Sequence, residues 1–224
     1  MDDSVIGMTT ALLSTTYFGP VQWYQKLCRY DHVLIEQHET FPKQTFRNRC
    51  LIATTQGIQA LSVPVSFQDS HLAKDVLVSD HGNWRHLHWQ ALQSAYGDSP
   101  FFEYYADDLH PFFEKKWNYL LDFNEAIRQT MCDLLDIHPQ VELTTRYAPI
   151  ASIASIASIV SIAPIASIDD FRTAIAPKHP AEDTDFAPRR YYQVFEQKHG
   201  FLPNLSILDL LFNMGPESIF YLLK

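Results

Sequence analysis

Residues 10–37 read TALLSTTYFGPVQWYQKLCRYDHVLIEQ, and this stretch decides the fold. Thr10 to Thr15 is short, apolar and rich in strand formers, which predicts a strand. Tyr17-Phe18-Gly19-Pro20 follows as a turn, punctuated by Gly and Pro. Val21, Tyr24, Leu27 and Cys28 then recur at helical spacing, which predicts a short amphipathic helix. His32 to Gln37 returns to an apolar run that ends in polar residues and reads as a buried strand.

Working outward, Arg49–Thr54 and Gln59–Val65 read as two strands of a hairpin around Gln56-Gly57. Asp75 to Ser79 is a further short strand. From Asn83 the pattern becomes helical. Asn83 is a suitable N-cap for a helix over Trp84–Tyr96, and Gly97-Asp98-Ser99-Pro100 ends it. Pro111 to Ile137 holds one or two longer helices. Ser206–Leu211 and Glu217–Leu223 close the chain as helices split by Gly215-Pro216. The expectation is a mixed α/β fold: a sheet of N-terminal strands flanked by the helices after residue 83, with α+β as the close rival.

Residues 148–168 break this pattern. They form seven triplets, mostly Ala-Ser-Ile, with five serines and with Pro149 and Pro164 inside. A period of three fits neither helix nor strand. The serines and prolines make a membrane span a poor fit. The segment reads as an exposed low-complexity linker inside a single domain covering residues 1–224.

The composition is globular: 224 residues, 46 % hydrophobic and 19 % charged, with a formal net charge of −9. An acidic chain does not favour a broad nucleic-acid-binding face, so no DNA partner is expected. Cys28, Cys50 and Cys132 lack zinc or redox-motif spacing and read as reduced, buried residues. No secretory n-region precedes the apolar stretch at Val5–Leu13, and cytoplasmic retention is expected. No G-x-x-x-x-G-K-[ST] loop, G-x-G-x-x-G turn or G-x-S-x-G elbow occurs, so neither a P-loop, a standard dinucleotide fold nor an α/β-hydrolase is expected. No cofactor is expected.

Polar chemistry concentrates at Lys43-Gln44-Thr45-Phe46-Arg47-Asn48-Arg49. If extended, this stretch points Lys43, Thr45, Arg47 and Arg49 one way, a row able to fork a phosphate or carboxylate. The same row can equally be a solvated edge strand. Glu36 and Glu39, just upstream, can pair with these cations or act as a general base. The second cluster is His81-Gly82-Asn83-Trp84-Arg85-His86-Leu87-His88-Trp89. His86 and His88 do not share a helical face, so no metal site is expected, and His86 or His88 is a candidate base. Ser206 and Asp209 read as a capping pair.

Three blocks carry a family resemblance: Ser14–Pro20 running to Asp31; Lys43–Arg49 with Leu61-Ser62-Val63-Pro64-Val65; and His81–Phe102 with Tyr96 and Ser99-Pro100-Phe101-Phe102. Pro203–Asp209 adds a fourth. The chain resembles the WbqC-like protein family of bacterial O-antigen and related polysaccharide gene clusters. It departs at Gly19, where proline is common, and at the triplet repeat, where many members have ordinary sequence, often with a glycine-rich loop. The resemblance implies polysaccharide biosynthesis, with glycine or aminoacyl transfer to a nucleotide-activated amino sugar, or non-catalytic binding of such a sugar in the same pathway. On that reading Lys43, Arg47 and Arg49 clamp the diphosphate, Asn48 orients the substrate, Tyr17 or Trp84 stacks on it, and His86 or Glu36 is the base. The acidic charge disfavours tRNA as donor without excluding it.

Overall fold

The computed structural model describes residues 8–149 and 165–223. Its centre is a four-stranded parallel sheet of β1 (Met8–Ser14), β2 (His32–Glu36), β7 (Val141–Leu143) and β8 (Ile165–Asp170), in the order β7-β2-β1-β8. Strand β1 (Met8–Ser14), helix α1 (Val21–Arg29) and β2 (His32–Glu36) realise the opening stretch. The β1–β2 register runs from Thr10 opposite His32 to Ser14 opposite Glu36, so both strands end at the same edge.

Alternation along the strands divides the core. Ala11, Leu13, Val33 and Ile35 face the main hydrophobic cluster, while Leu12 and Leu34 join Ala148 and Ile168 in a small cluster. Successive strand side chains point to opposite faces, which assigns the two sets to the two faces of the sheet. All five residues of β2 are buried, as expected for a parallel strand covered on both sides.

Helix α1 buries Val21, Trp23, Tyr24 and Leu27. The Trp23 indole donates to the Ser14 carbonyl at 2.9 Å, fixing the helix against the end of β1. The turn before it is held by the C-terminal block. Phe18 sits at φ +41, an uncommon backbone for a bulky residue. The Ser206 hydroxyl donates to the Phe18 carbonyl at 2.8 Å, and Ile207 N–H donates to the Gly19 carbonyl at 2.9 Å.

Strands β3 (Arg49–Thr54) and β4 (Gly57–Ser62) form the expected hairpin, closed where Thr54 pairs with Gly57 at φ +103. They stand outside the central sheet, as do the short antiparallel strands β5 (Val65–Ser66) and β6 (Leu77–Val78). The helices are α2 (Trp84–Tyr96), α3 (Phe102–Leu109), α4 (Pro111–Glu114), α5 (Leu120–Leu134), α6 (Glu196–His199), α7 (Ile207–Met214) and α8 (Ile219–Leu222). Mixed α/β architecture therefore holds, but the central sheet is completed from beyond the N-terminal half, by β7 (Val141–Leu143) and β8 (Ile165–Asp170).

Most of the triplet repeat, residues 150–164, lies outside the described residues. Its two ends do not behave as exposed linker. Ala148 is fully buried. Residues 165–168 belong to β8, whose register places Ile168 opposite Thr10 and Asp170 opposite Leu12. Backbone pairing overrides the three-residue period there, because a parallel ladder needs only N–H and C=O groups in line.

Two capping expectations are corrected. Asn83 occupies the N-cap position of α2 but makes no side-chain cap bond. Ser206 does cap α7, accepting from Leu208 N–H, whereas the Asp209 side chain plays a different part. Its buried carboxylate accepts from the Tyr96 hydroxyl at 2.9 Å, the Tyr191 hydroxyl at 2.7 Å and Gln193 Nε2 at 2.8 Å. The Tyr96 hydroxyl in turn accepts from Ala53 N–H. One carboxylate thus joins β3, α2, α7 and the segment before α6.

Burial raises the Asp209 pKa despite the three donors. A raised folded-state value adds stability that is fully present below the unfolded carboxylate pKa and is lost as pH rises through the folded value. Asp209→Ala takes the acceptor from the buried Tyr96 and Tyr191 hydroxyls, while Gln193 Nε2 keeps the Leu202 carbonyl, and should cost about 3 kcal/mol in urea unfolding at neutral pH. Asp209→Asn does not titrate, so its stability relative to the parent should improve as pH rises above about 4. A pH-independent stability difference between the parent and Asp209→Asn would contradict this account.

Candidate functional site

The carboxyl ends of β1, β2, β7 and β8 bring the chain's polar residues together. The path runs from β1 to β2 on one side, while β8 lies on the other side of β1. In open α/β sheets the crevice at such a reversal, outside the strand ends, is where ligands bind. Here a narrow cleft is lined by Ser14, Thr15, Thr16, Arg47, Phe171 and Arg172, among others. Its open volume is about 10 Å³, roughly the space of one water.

Two arginines dominate this edge. Arg47 is buried, and its Nε and Nη2 donate to the two oxygens of Glu39 at 2.7 and 2.6 Å. Its Nη2 also donates to Ser14 Oγ at 2.6 Å. Asn124 Nδ2 fixes the loop by donating to the Arg47 carbonyl and to Thr15 Oγ1. Arg172 makes the same fork to Asp170, with Nε and Nη2 on its oxygens. The Nη1 of Arg172 lies 3.6 Å from Glu36 Oε2. Burial alone would lower the Arg172 pKa, but the hydrogen bonds and charge of Asp170, with Glu36 behind it, leave it raised.

Glu36, the last residue of β2, is fully buried. It accepts from His38 N–H at 2.7 Å, Thr144 Oγ1 at 2.8 Å and Ala148 N–H at 2.7 Å. Thr16 Oγ1 is buried at the cleft and has no hydrogen-bond partner among the described residues.

The row of Lys43, Thr45, Arg47 and Arg49 on one face of an extended strand does not form. Residues 43–48 are bends and turns, with Gln44 at φ +60, and β3 begins only at Arg49. Lys43 is exposed while Arg47 turns inward, because Glu39 offers it a planar, bidentate partner. Asn48 Nδ2 donates to the Val63 carbonyl, and Arg49 Nε donates to Ser62 Oγ. Both hold the loop to β4 and the residue after it.

Tyr17 and Trp84 are both buried. The Tyr17 hydroxyl lies 2.9 Å from His88 Nδ1, and burial raises its pKa well above the usual tyrosine value. Burial lowers the His88 pKa to about 4, against the opposing pull of the Ser62 carbonyl. His88 is therefore neutral at pH 7. With its proton toward Ser62, its Nδ1 accepts the Tyr17 hydroxyl. The Trp84 indole donates to the Ser79 carbonyl at 2.9 Å. His86 and Trp84 line a separate surface depression of about 700 Å³ that shares no residue with the cleft. Glu36 and His86 thus belong to different surroundings.

Among the described residues no three or more His, Cys, Asp or Glu side chains could together hold a metal ion. Nor, among them, is any helix long and apolar enough to cross a membrane. Sequence reasoning missed Ser14, Asn124, Asp170 and Arg172. The acidic pair Asp169-Asp170 directly after the repeat, with Arg172 two residues further on, was the available signal.

The model of the WbqC-like protein family matches residues 15–221. The uncharacterized protein Rv1507c of Mycobacterium tuberculosis is 29 % identical over 225 residues, covering 95 % of this chain and 96 % of that protein. No solved structure matches significantly. The chain belongs to the WbqC-like protein family.

The Tyr17–His88 pair gives a pH prediction. Ring signals of His88 followed by nuclear magnetic resonance should stay those of a neutral imidazole from pH 8 to pH 5 and change only near pH 4. Titration near the ordinary histidine value of about 6.5 would show that the pair is solvated.

Proposed function

We propose that this WbqC-like chain is a transferase that passes an aminoacyl group, such as glycyl, to the amine of a nucleotide-activated amino sugar at the carboxyl-edge cleft. The observation that supports this is the pair of arginine–carboxylate forks at one edge. Among the described residues, the salt bridges of Glu36, Glu39 and Asp170 are made with Arg47 and Arg172, so three carboxylates share two guanidinium groups. An ammonium can take the place of a guanidinium beside a carboxylate that a diphosphate frees. The two guanidinium forks suit a diphosphate, since bidentate recognition of oxyanions is what arginine does best. The unpartnered Thr16 hydroxyl offers one more hydrogen bond. The family resemblance supplies the substrate class.

The roles follow from burial. Both Glu36 oxygens are occupied, so Glu36 anchors the edge. Glu39 has a side chain 10 % exposed and, among the described residues, a single charged partner, Arg47. When a diphosphate draws Arg47 away, Glu39 is freed to take a proton from the ammonium, leaving a nucleophilic amine. The amine attacks the activated carbonyl of the donor; the new C–N bond forms as the bond from the carbonyl carbon to the donor's leaving group breaks, and the leaving group departs with that electron pair and takes up the proton the nitrogen loses. The net charge of −9 favours a small activated donor over a glycyl-tRNA.

One observation favours a second reading, a binding protein without turnover. The charged groups at the cleft are paired with one another, so none of those carboxylates stands free as a base. Turnover separates the readings: purified protein given the sugar nucleotide and an activated glycine should yield the glycyl amide, seen by mass spectrometry.

Binding comes first. Calorimetry should register a nucleotide-linked amino sugar, with affinity at least about tenfold weaker for its N-acetylated form and for Arg172→Lys. No heat with any nucleotide-linked amino sugar, or equal affinity in Arg172→Lys, would remove the basis for this assignment.

A further inference from the structure

Among the described residues β4 pairs with β3 alone, so the hairpin ends in an open edge. The ladder tells which backbone groups face that edge, because bonded and non-bonded residue pairs alternate between antiparallel strands. Val63 N–H donates to the Asn48 carbonyl at 2.8 Å. Bonded pairs therefore recur at Cys50–Leu61, Ile52–Gln59 and Thr54–Gly57. The β3 residues between them turn away from β4: the Leu51 carbonyl accepts Ser206 N–H, and Ala53 N–H donates to the Tyr96 hydroxyl. Their opposite numbers, Ala60 and Ile58, must then point N–H and C=O out of the hairpin. Among the described residues neither has a hydrogen-bond partner on that side. Ser62, the next outward residue, already gives its carbonyl to His88.

Open edges are normally blunted by a charge, a proline or a bulge. Strand β4 reads Gly-Ile-Gln-Ala-Leu-Ser, with no charge and no proline, and its register is unbroken. Ile58, Gln59 and Ala60 are exposed. Beside them a groove of about 710 Å³ lies between β4 and α2, and every side chain lining it is uncharged, Ile58, Leu87, Ala91 and Ser94 among them. Ile58 is 54 % and Leu87 57 % exposed. A charged partner would find no counter-charge on this strip. A chain of net charge −9 repels its own copy, and two copies meet at least electrostatic cost where the surface carries no charge.

We infer that β4 is the pairing edge of a symmetric dimer, in which β4 of one copy runs antiparallel to β4 of a second copy and joins the two hairpins into one sheet. The open groups fix the register. Ile58 of each copy lies opposite Ala60 of the other, which satisfies both outward N–H and both outward C=O groups on each strand. A register that placed Ile58 opposite Ser62 would need the carbonyl His88 already holds. Gln59 falls on the two-fold axis and meets its own copy, where two side-chain amides can bond to each other. Ile58 packs beside the small Ala60, a large side chain against a small one. The groove shares no lining residue with the carboxyl-edge cleft.

Sedimentation equilibrium on the full chain should give twice the 25.8 kDa of one copy. The dissociation constant should lie at or below about 100 μM. Ala60→Pro removes an outward N–H without touching the β3 ladder, and Ile58→Lys adds a charge to the edge. Each should weaken association at least about tenfold while keeping the circular dichroism of the parent. Gln59→Cys tests the register independently, because opposed Cα atoms of a non-bonded antiparallel pair lie about 4.5 Å apart, within disulfide reach. With diamide as oxidant, Gln59→Cys should give a linked dimer on a non-reducing gel, and neither the parent nor Ile58→Cys should. The inference is overturned if the chain is monomeric at about 500 μM, which would leave the edge to an extended segment of another protein. It is also overturned if folded Ala60→Pro dimerises as the parent does, which would move the contact to another face, or if Gln59→Cys links no better than Ile58→Cys.

Discussion

The buried Glu36 carboxylate is the contact on which the carboxyl edge of the sheet depends. It ends β2, collects the Thr144 hydroxyl just beyond β7, takes the Ala148 N–H at the start of the repeat, and faces Arg172 just past β8. A desolvated anion of this kind is tolerated only where hydrogen bonds and a counter-charge surround it. Meeting that requirement draws segments more than 100 residues apart into one place. The Gln37 side chain adds to it by donating to the Thr144 carbonyl at 2.7 Å.

The same requirement shapes the cleft. Parallel strands end together by register, so Ser14 and Glu36 lie side by side, and the β1–β8 pairing sets Asp170 opposite Leu12, two residues before Ser14 on the same face. Arg47 and Arg172 enter as counter-ions, and each spends its planar edge on a carboxylate. The result is an ion-paired rim in which three carboxylates share two guanidinium groups, with almost no open space. A ligand there must exchange partners with the arginines. Exchange of one bidentate oxyanion for another changes few bonds, which is the exchange the proposed recognition would use. Its sheet is fixed from below by two hydrophobic faces, so the side chains move against a rigid frame.

Local patterns made the first half of this architecture legible. The apolar runs of β1 and β2, the spacing of Val21, Tyr24 and Leu27, and the Gly57 turn all carry short-range signals. The other two strands of the sheet do not. Val141–Leu143 is three residues long, and β8 starts inside a triplet repeat whose period matches no strand. Parallel pairing is non-local, so neither announces its partner. The candidate site divides in the same way. Lys43–Arg49 was visible as a cation cluster, and Glu39 as a partner for it. That Arg47 alone turns inward was not visible, because it depends on a left-handed Gln44 and on Asn124, contributed by α5. Asp170 and Arg172 stood beside a low-complexity segment that drew attention away from them. Asp209 read as a helix cap because the hydroxyls of Tyr96 and Tyr191 reach it only in three dimensions.

The central claim is that the ion-paired carboxyl edge is where this WbqC-like chain meets its substrate. A crystal structure of the protein soaked with a nucleotide-linked amino sugar tests it most directly. The account predicts the diphosphate on the forks of Arg47 or Arg172 and the amine against Glu39, between the ends of β1 and β8. A sugar nucleotide bound elsewhere, with Arg47 still on Glu39 and Arg172 still on Asp170, would contradict it.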